Sequence, residues 1–232
     1  MVSNSKISIS GFGASSGQDN TEWLLNPGAV SVVCSSLEGV RRSLLNSLAG
    51  RNKNSGLRIR VEASDGHRIV QALPSAAVLP PPGEEMFVGT TVGEQLGFYD
   101  RADNQGGQRL ESLDNKFGFG FSSMPQRSVW ELGAGERRCL LLVSQAMAGP
   151  RNWIMHSPLE RMDGARQSSV LEFIDDCTVR GGIVVAASGF PVLLMGAENT
   201  SLIVLGDSTL NIIYQGEGES AVKYLAQERR QV

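Results

Sequence analysis

From residue 181 onward the chain reads GGIVVAAS, FPVLLMG, SLIVLG and TLNIIYQ, four apolar runs broken at Gly189, at Gly196 with Asn199, and at Gly206 with Asp207. Runs of five or six residues between turn formers have the length and punctuation of strands in a meander or barrel wall. Glycine is frequent throughout, 27 of 232 residues, and aromatics are few at 6%. This rhythm predicts a mostly β, α+β chain: an antiparallel sandwich or partly closed barrel, with residues 1–232 as a single domain.

Upstream segments fit that frame. AVSVVC, residues 29–34, is β-branched and apolar, the pattern of a buried strand. One clear helix follows at about 36–49. Ser35 and Glu38 stand at capping-box spacing, Leu37, Val40, Leu44, Leu45 and Leu48 form one stripe, and Gly50 sits at the C-terminal cap. LRIRVEA-SDG-HRIVQAL alternates apolar and polar residues around Asp65-Gly66, which predicts a hairpin with Val61 opposite Val70 and Ile59 opposite Ala72.

The proline-rich stretch 74–83 reads as a connector, and 101–108 as a polar loop. Residues 86–91, 96–99, 117–121, 129–132 and 139–144 read as strands. Trp153 to His156 is a short apolar piece, 169–176 a short helix, and a C-terminal helix is expected at about 221–230.

The N-terminal stretch KISIS-GFGASSG-QDNTEW raises the question of a phosphate loop. Ala14-Ser15-Ser16-Gly17 resembles part of the glycine motif of short-chain dehydrogenases. Gly13, Ser15 and Gly17 also satisfy the G-x-S-x-G elbow of serine hydrolases. Both motifs need a helix to begin at the glycines, whereas Pro27 and Gly28 close any helix there within two turns. The stretch therefore reads as a flexible Gly/Ser loop at 11–20, with an enzyme using it (nucleotide-binding or serine hydrolase) as the last alternative.

Other catalytic equipment is sparse. His67 and His156 are the two histidines, far apart in sequence, and Asp175-Asp176 are adjacent and so diverge on a helix. Residues 100–106 resemble a calcium loop but put Ala102 at its third position. Cys34, Cys139 and Cys177 follow neither a disulfide nor a zinc pattern, which suits a reducing, intracellular compartment. No transmembrane segment, metal or cofactor is expected, and the chain reads as a non-enzyme.

Charge is uneven. Residues 41–68 carry +5 and the rest of the chain −8, for a net charge of −3. Arg41, Arg42, Arg51, Lys53, Arg58, Arg60 and Arg68 are the candidate site, a cationic surface for nucleic acid, another anion or an acidic protein. The leading expectation is a non-catalytic structural or assembly protein that forms homo-oligomers, such as a viral or phage particle component. A nucleic-acid or anion-binding module is the alternative.

Overall fold

The computed structural model describes residues 7–11, 22–52, 57–63, 66–99, 106–189, 191–196, 199–206 and 212–228. In chain order its elements begin with β1 (Ile7–Ser10), β2 (Trp23–Leu25), β3 (Ala29–Cys34), α1 (Glu38–Leu48), β4 (Arg58–Ala63), β5 (Gly66–Val70) and β6 (Ala76–Leu79). They continue with α2 (Val92–Tyr99), α3 (Gly106–Phe117), α4 (Ala134–Met147), β7 (Asn152–His156) and α5 (Gly164–Val179). The last are β8 (Ile183–Ser188), β9 (Thr200–Leu205), β10 (Ile212–Glu217) and α6 (Gly218–Glu228).

Two compact units result. The first takes residues 1–78, 151–156 and 174–232, the second 79–150 and 157–173. The first holds an antiparallel sheet ordered β2-β1-β4-β5. A second, six-stranded sheet has the order β10-β9-β3-β8-β7-β6. In it β3 runs parallel to β8 and β9, β7 runs parallel to β8, and β9–β10 is antiparallel. The core of the first unit lies where the apolar stripe of α1 (Leu44, Leu45, Leu48) meets Val33, Ile154, Val185 and Ile203 of the mixed sheet and Ile9, Ile59 and Trp23 of the antiparallel one. The second unit is mostly helical. There Phe117 packs edge-on against Phe173, ring centroids 5.5 Å apart.

The architecture is therefore α/β with a mixed sheet and a helical unit, and the expected mostly-β sandwich or barrel is corrected on several elements. Residues 96–99 lie in α2 and 139–144 in α4, a helix whose block from Cys139 to Val143 is buried. A five-residue apolar run does not carry its own period, so a helix buried all round has the same sequence pattern as a buried strand. Residues 86–91 form no strand, and residues 129–131 form a 3-10 turn. Phe117 ends α3, Gly118 and Gly120 take positive φ and Phe121 opens a 3-10 turn, so residues 117–121 form no strand. β6 lies inside the proline-rich stretch 74–83. The C-terminal runs are not a meander: β3 inserts between β8 and β9, and residues 191–196 are a 3-10 turn.

Helices at α1 and α6 fall where the sequence puts them. Gly50 takes φ +72 and its N–H bonds the Ser47 carbonyl. The β4–β5 hairpin forms two residues out of the expected register, with Val61 opposite Arg68 and Ile59 opposite Val70. An even shift keeps each residue on its face, so the apolar pattern tolerated it.

Asn152 is the polar tie within the first unit. Its Nδ2 donates to the Pro74 carbonyl at 2.7 Å, and its Oδ1 accepts from the Ile183 N–H at 3.0 Å. Replacing it orphans two backbone groups in a buried place. Asn152→Ala is expected to lower the unfolding free energy by about 2–4 kcal/mol in urea titration, and Asn152→Asp, which sets two acceptors face to face at Pro74, to be no milder.

Candidate functional site

In open α/β sheets ligands sit beyond the carboxyl ends of the strands. Here those ends are Cys34-Ser35-Ser36 after β3, Ser188-Gly189 after β8, His156 at the end of β7, and Leu205-Gly206 after β9. β3 is the natural focus, because it is paired on both edges and its chain leads straight into α1.

The β3–α1 turn is short. α1 already begins at Glu38, Leu37 is extended (φ −95°, ψ 121°), and the residues of positive φ nearest to it in sequence are Gly28 and Gly50. The Ser35 hydroxyl accepts from the Leu37 N–H at 3.3 Å. Arg41 reaches back from the helix and donates from Nη1 to the Ser35 carbonyl. Its guanidinium lies beside Gly189, where an added Cβ would stand 3.5 Å from Nη2. Arg42 forms a 3.0 Å ion pair with Glu38 one turn earlier.

The seven basic candidates are thus not equivalent. Arg41 and Arg42 face ligands of their own chain at the start of α1. Arg51 follows α1 and is exposed. Arg58 and Arg60 share the exposed face of β4, whereas Arg68 pairs across from Val61 and so belongs to the opposite face. Lys53 and the GFGASSG loop from Phe12 to Gly17 lie outside the described residues.

The second unit carries features that the sequence reading missed. Thr91 and Glu94 form a capping box on α2. The Glu94 N–H bonds Thr91 Oγ1, and the Glu94 carboxylate accepts from the Thr91 N–H, the Thr90 N–H (2.8 Å) and Thr90 Oγ1 (2.6 Å). The Thr90 hydroxyl, followed by the backbone donors, holds the Glu94 carboxyl below its ordinary value. The T-x-x-E spacing was the legible signal.

Buried Gln95 accepts from the N–H groups of Val88 and Gly89. A Cβ on Gly89 would lie 2.3 Å from the Gln95 nitrogen, so only glycine fits. This frame displays Met86 (84% exposed) and Val88, and Trp130 is exposed too, its ring edge-on to Phe87. Arg138, fully buried in α4, pairs with Glu85 at 3.0 Å and donates to the Pro80 and Ser157 carbonyls.

Comparison with known proteins places the fold. No protein-family model matches the chain. An ATP-binding cassette of an ABC transporter, in its ADP conformation, superposes with TM-score 0.68 over 97% of this chain and 96% of that one at 16% identity. An ATP-binding subunit of an ABC transporter gives 0.70 over 95% and 93% at 12% identity. The fold is therefore the ABC transporter ATP-binding cassette.

In sequence the chain is similar to the cytochrome c biogenesis ATP-binding export protein CcmA. Identity to the protein of Bradyrhizobium diazoefficiens is 28% over 178 residues, 77% of this chain and 84% of the relative. To that of Rhizobium meliloti it is 24% over 203 residues, 85% and 97%. These likenesses, a cassette fold and sequence relatives that are export proteins, overturn the expected structural, homo-oligomeric or virion role.

A cassette implies a magnesium nucleotide, held by G-x-x-x-x-G-K-[ST] between a strand and a helix. The eight residues after β3 are Ser35-Ser36-Leu37-Glu38-Gly39-Val40-Arg41-Arg42. Ser35 and Val40 stand at the two glycine positions, Arg41 at the lysine and Arg42 at the metal-binding hydroxyl. Helix α1 starts within the stretch where the fingerprint needs an open loop, and its first turn carries Glu38, an acidic side chain where an anion would have to sit. β7 ends at His156 with no carboxylate, and among the described residues no three His, Cys, Asp or Glu side chains cluster for a metal. These residues do not fit the magnesium nucleotide.

Burial pushes the Cys139 thiol up to about 12, so its reactive thiolate is scarce at neutral pH. Cys177 is buried and Cys34 half-buried. Iodoacetamide at pH 8 is expected to label Cys34 first, and Cys139 only after denaturation, as mass spectrometry of the digested chain would show. Stability should fall as pH rises above the ordinary thiol range, because the unfolded chain then loses a proton that the folded chain keeps.

Proposed function

We propose that this chain is the cassette subunit of a membrane export assembly, held at the cytoplasmic face by a membrane-embedded partner. The observation that carries the reading is the cassette fold, which extends over 97% of the chain. The names of its curated relatives, ATP-binding export proteins, supply the transport class. Among the described residues no helix is long and apolar enough to cross a membrane, so membrane attachment through them runs by way of a partner.

The second unit supplies a surface suited to that task. Exposed Met86 and Val88 flank Phe87, and Trp130 adds a broad ring. Exposed apolar groups held on a rigid frame mark a protein contact more than scattered ones do. Glu94 and Gln95 provide the rigidity, since together they satisfy the N–H groups of Val88, Gly89, Thr90 and Thr91.

The test is fractionation of cells that express the chain with the rest of its assembly. Wild-type chain is expected to sediment with membranes and to co-purify with an integral membrane protein. Met86→Glu with Val88→Glu should reduce that fraction about tenfold or more, consistent with the loss of one or two interface anchors, and leave the melting temperature unchanged. Equal membrane recovery of wild type and variant would remove this surface from the reading, and absence of the wild type from membranes would remove the reading itself.

A further inference from the structure

We infer that the β3–α1 loop is closed by its own side chains and does not take up the phosphates of a magnesium nucleotide. The inference rests on the cassette fold, not on the export role, and three independent observations converge on it.

The first is steric and conformational. A phosphate loop needs glycines so that its backbone can curl around the anion. Residues 35–42 have one glycine, Gly39, inside α1, and none of them takes positive φ. Val40 adds a branched side chain where the fingerprint calls for none.

The second is the fate of the cation. A phosphate-binding lysine extends toward its ligand as a point charge. Arg41 instead folds back, donates to the Ser35 carbonyl and lies beside Gly189 after β8. It thereby ties the turn after one central strand to the end of its neighbour. A planar guanidinium with several donors suits that bridging role better than an ammonium does.

The third is the missing metal chemistry. Arg42 replaces the hydroxyl that would ligate magnesium, and it pairs with Glu38. Magnesium binds through oxygen ligands; the ends of β3, β7 and β8 offer serine hydroxyls and an imidazole, and the nearby Glu38 carboxylate is paired with Arg42. A cation placed there would also meet two arginines.

The loop thus serves as a structural clasp on the central strands. A cassette built this way holds the ends of β3 and β8 together with its own side chains in place of a bound phosphate.

Two measurements on the purified full chain test this, and neither depends on membrane docking. The first is binding of a fluorescent ATP analogue and of unlabelled ATP, with and without magnesium. The expected result is no saturable binding tighter than about 1 mM and no rise in melting temperature. Saturable, magnesium-dependent binding in the micromolar range would overturn the inference.

The second is the melting temperature of Arg41→Ala without nucleotide. A clasp predicts a drop of about 3–6 °C, the scale for losing one charge-assisted hydrogen bond in a chain of this size. A residue reserved for phosphate would leave the unliganded melting temperature unchanged, and that result would overturn the clasp. Arg41→Lys should recover less than half of the drop, since an ammonium cannot reproduce the guanidinium's reach.

Discussion

Strand β3 organises the first unit. Val30, Ser31, Val32 and Val33 are buried, and both edges are paired, to β8 on one side and β9 on the other. Ser31 even meets Ser201 of β9 hydroxyl to hydroxyl at 3.2 Å, so its polar atom is satisfied inside the sheet. A strand enclosed in this way cannot shift by one residue without exchanging its buried set. Its carboxyl end is therefore a fixed point, and the character of the residues just beyond it decides what the fold can hold there.

What stands beyond it is unlike the equipment that the fold usually houses. Ser35, Val40, Arg41 and Arg42 occupy the defining positions of a phosphate loop. The helix starts early, and Arg41 closes on the Ser35 carbonyl. The body of the cassette is thus separable from its nucleotide chemistry, because the sheet and the α1 stripe draw their stability from apolar burial and not from a ligand. The helical unit is secured differently, by the buried Arg138–Glu85 pair and its carbonyl contacts. Such a pair is costly to break once its charges have left water, which favours one arrangement of the segment before α2.

How much was legible follows from how each element declares its period. α1 was readable because its stripe is amphipathic and Gly50 marks its end. β4 and β5 were readable because polar and apolar residues alternate, although the register came out two residues different. α4 was not readable: Cys139 to Val143 are consecutive, circle the helix and are all buried, so it shows no 3.6-residue rhythm. The capping box at Thr91 and Glu94 announced α2 and went unread. For the candidate site, Arg41 and Arg42 were singled out for their charge. Their contacts with Ser35 and Glu38 depend on a helix that already begins at Glu38, inside the stretch a phosphate loop keeps open, which charge alone does not reveal.

By itself the sequence determined which segments are apolar, where glycine and proline interrupt them, and that positive charge gathers between residues 41 and 68. Those are local properties, set by each residue and its near neighbours. The tertiary structure alone decided that β3 lies between β8 and β9, strands about 150 residues downstream or more, and that their ends meet at Ser35, Arg41 and Gly189. Parallel neighbours need a crossover and bury both faces, so their sequences read as plain apolar runs with no mark of the partner. The apolar runs of β8 and β9, so like a meander when read in line, became parallel neighbours of a distant strand, an arrangement that buries nearly all of β8 and most of β9.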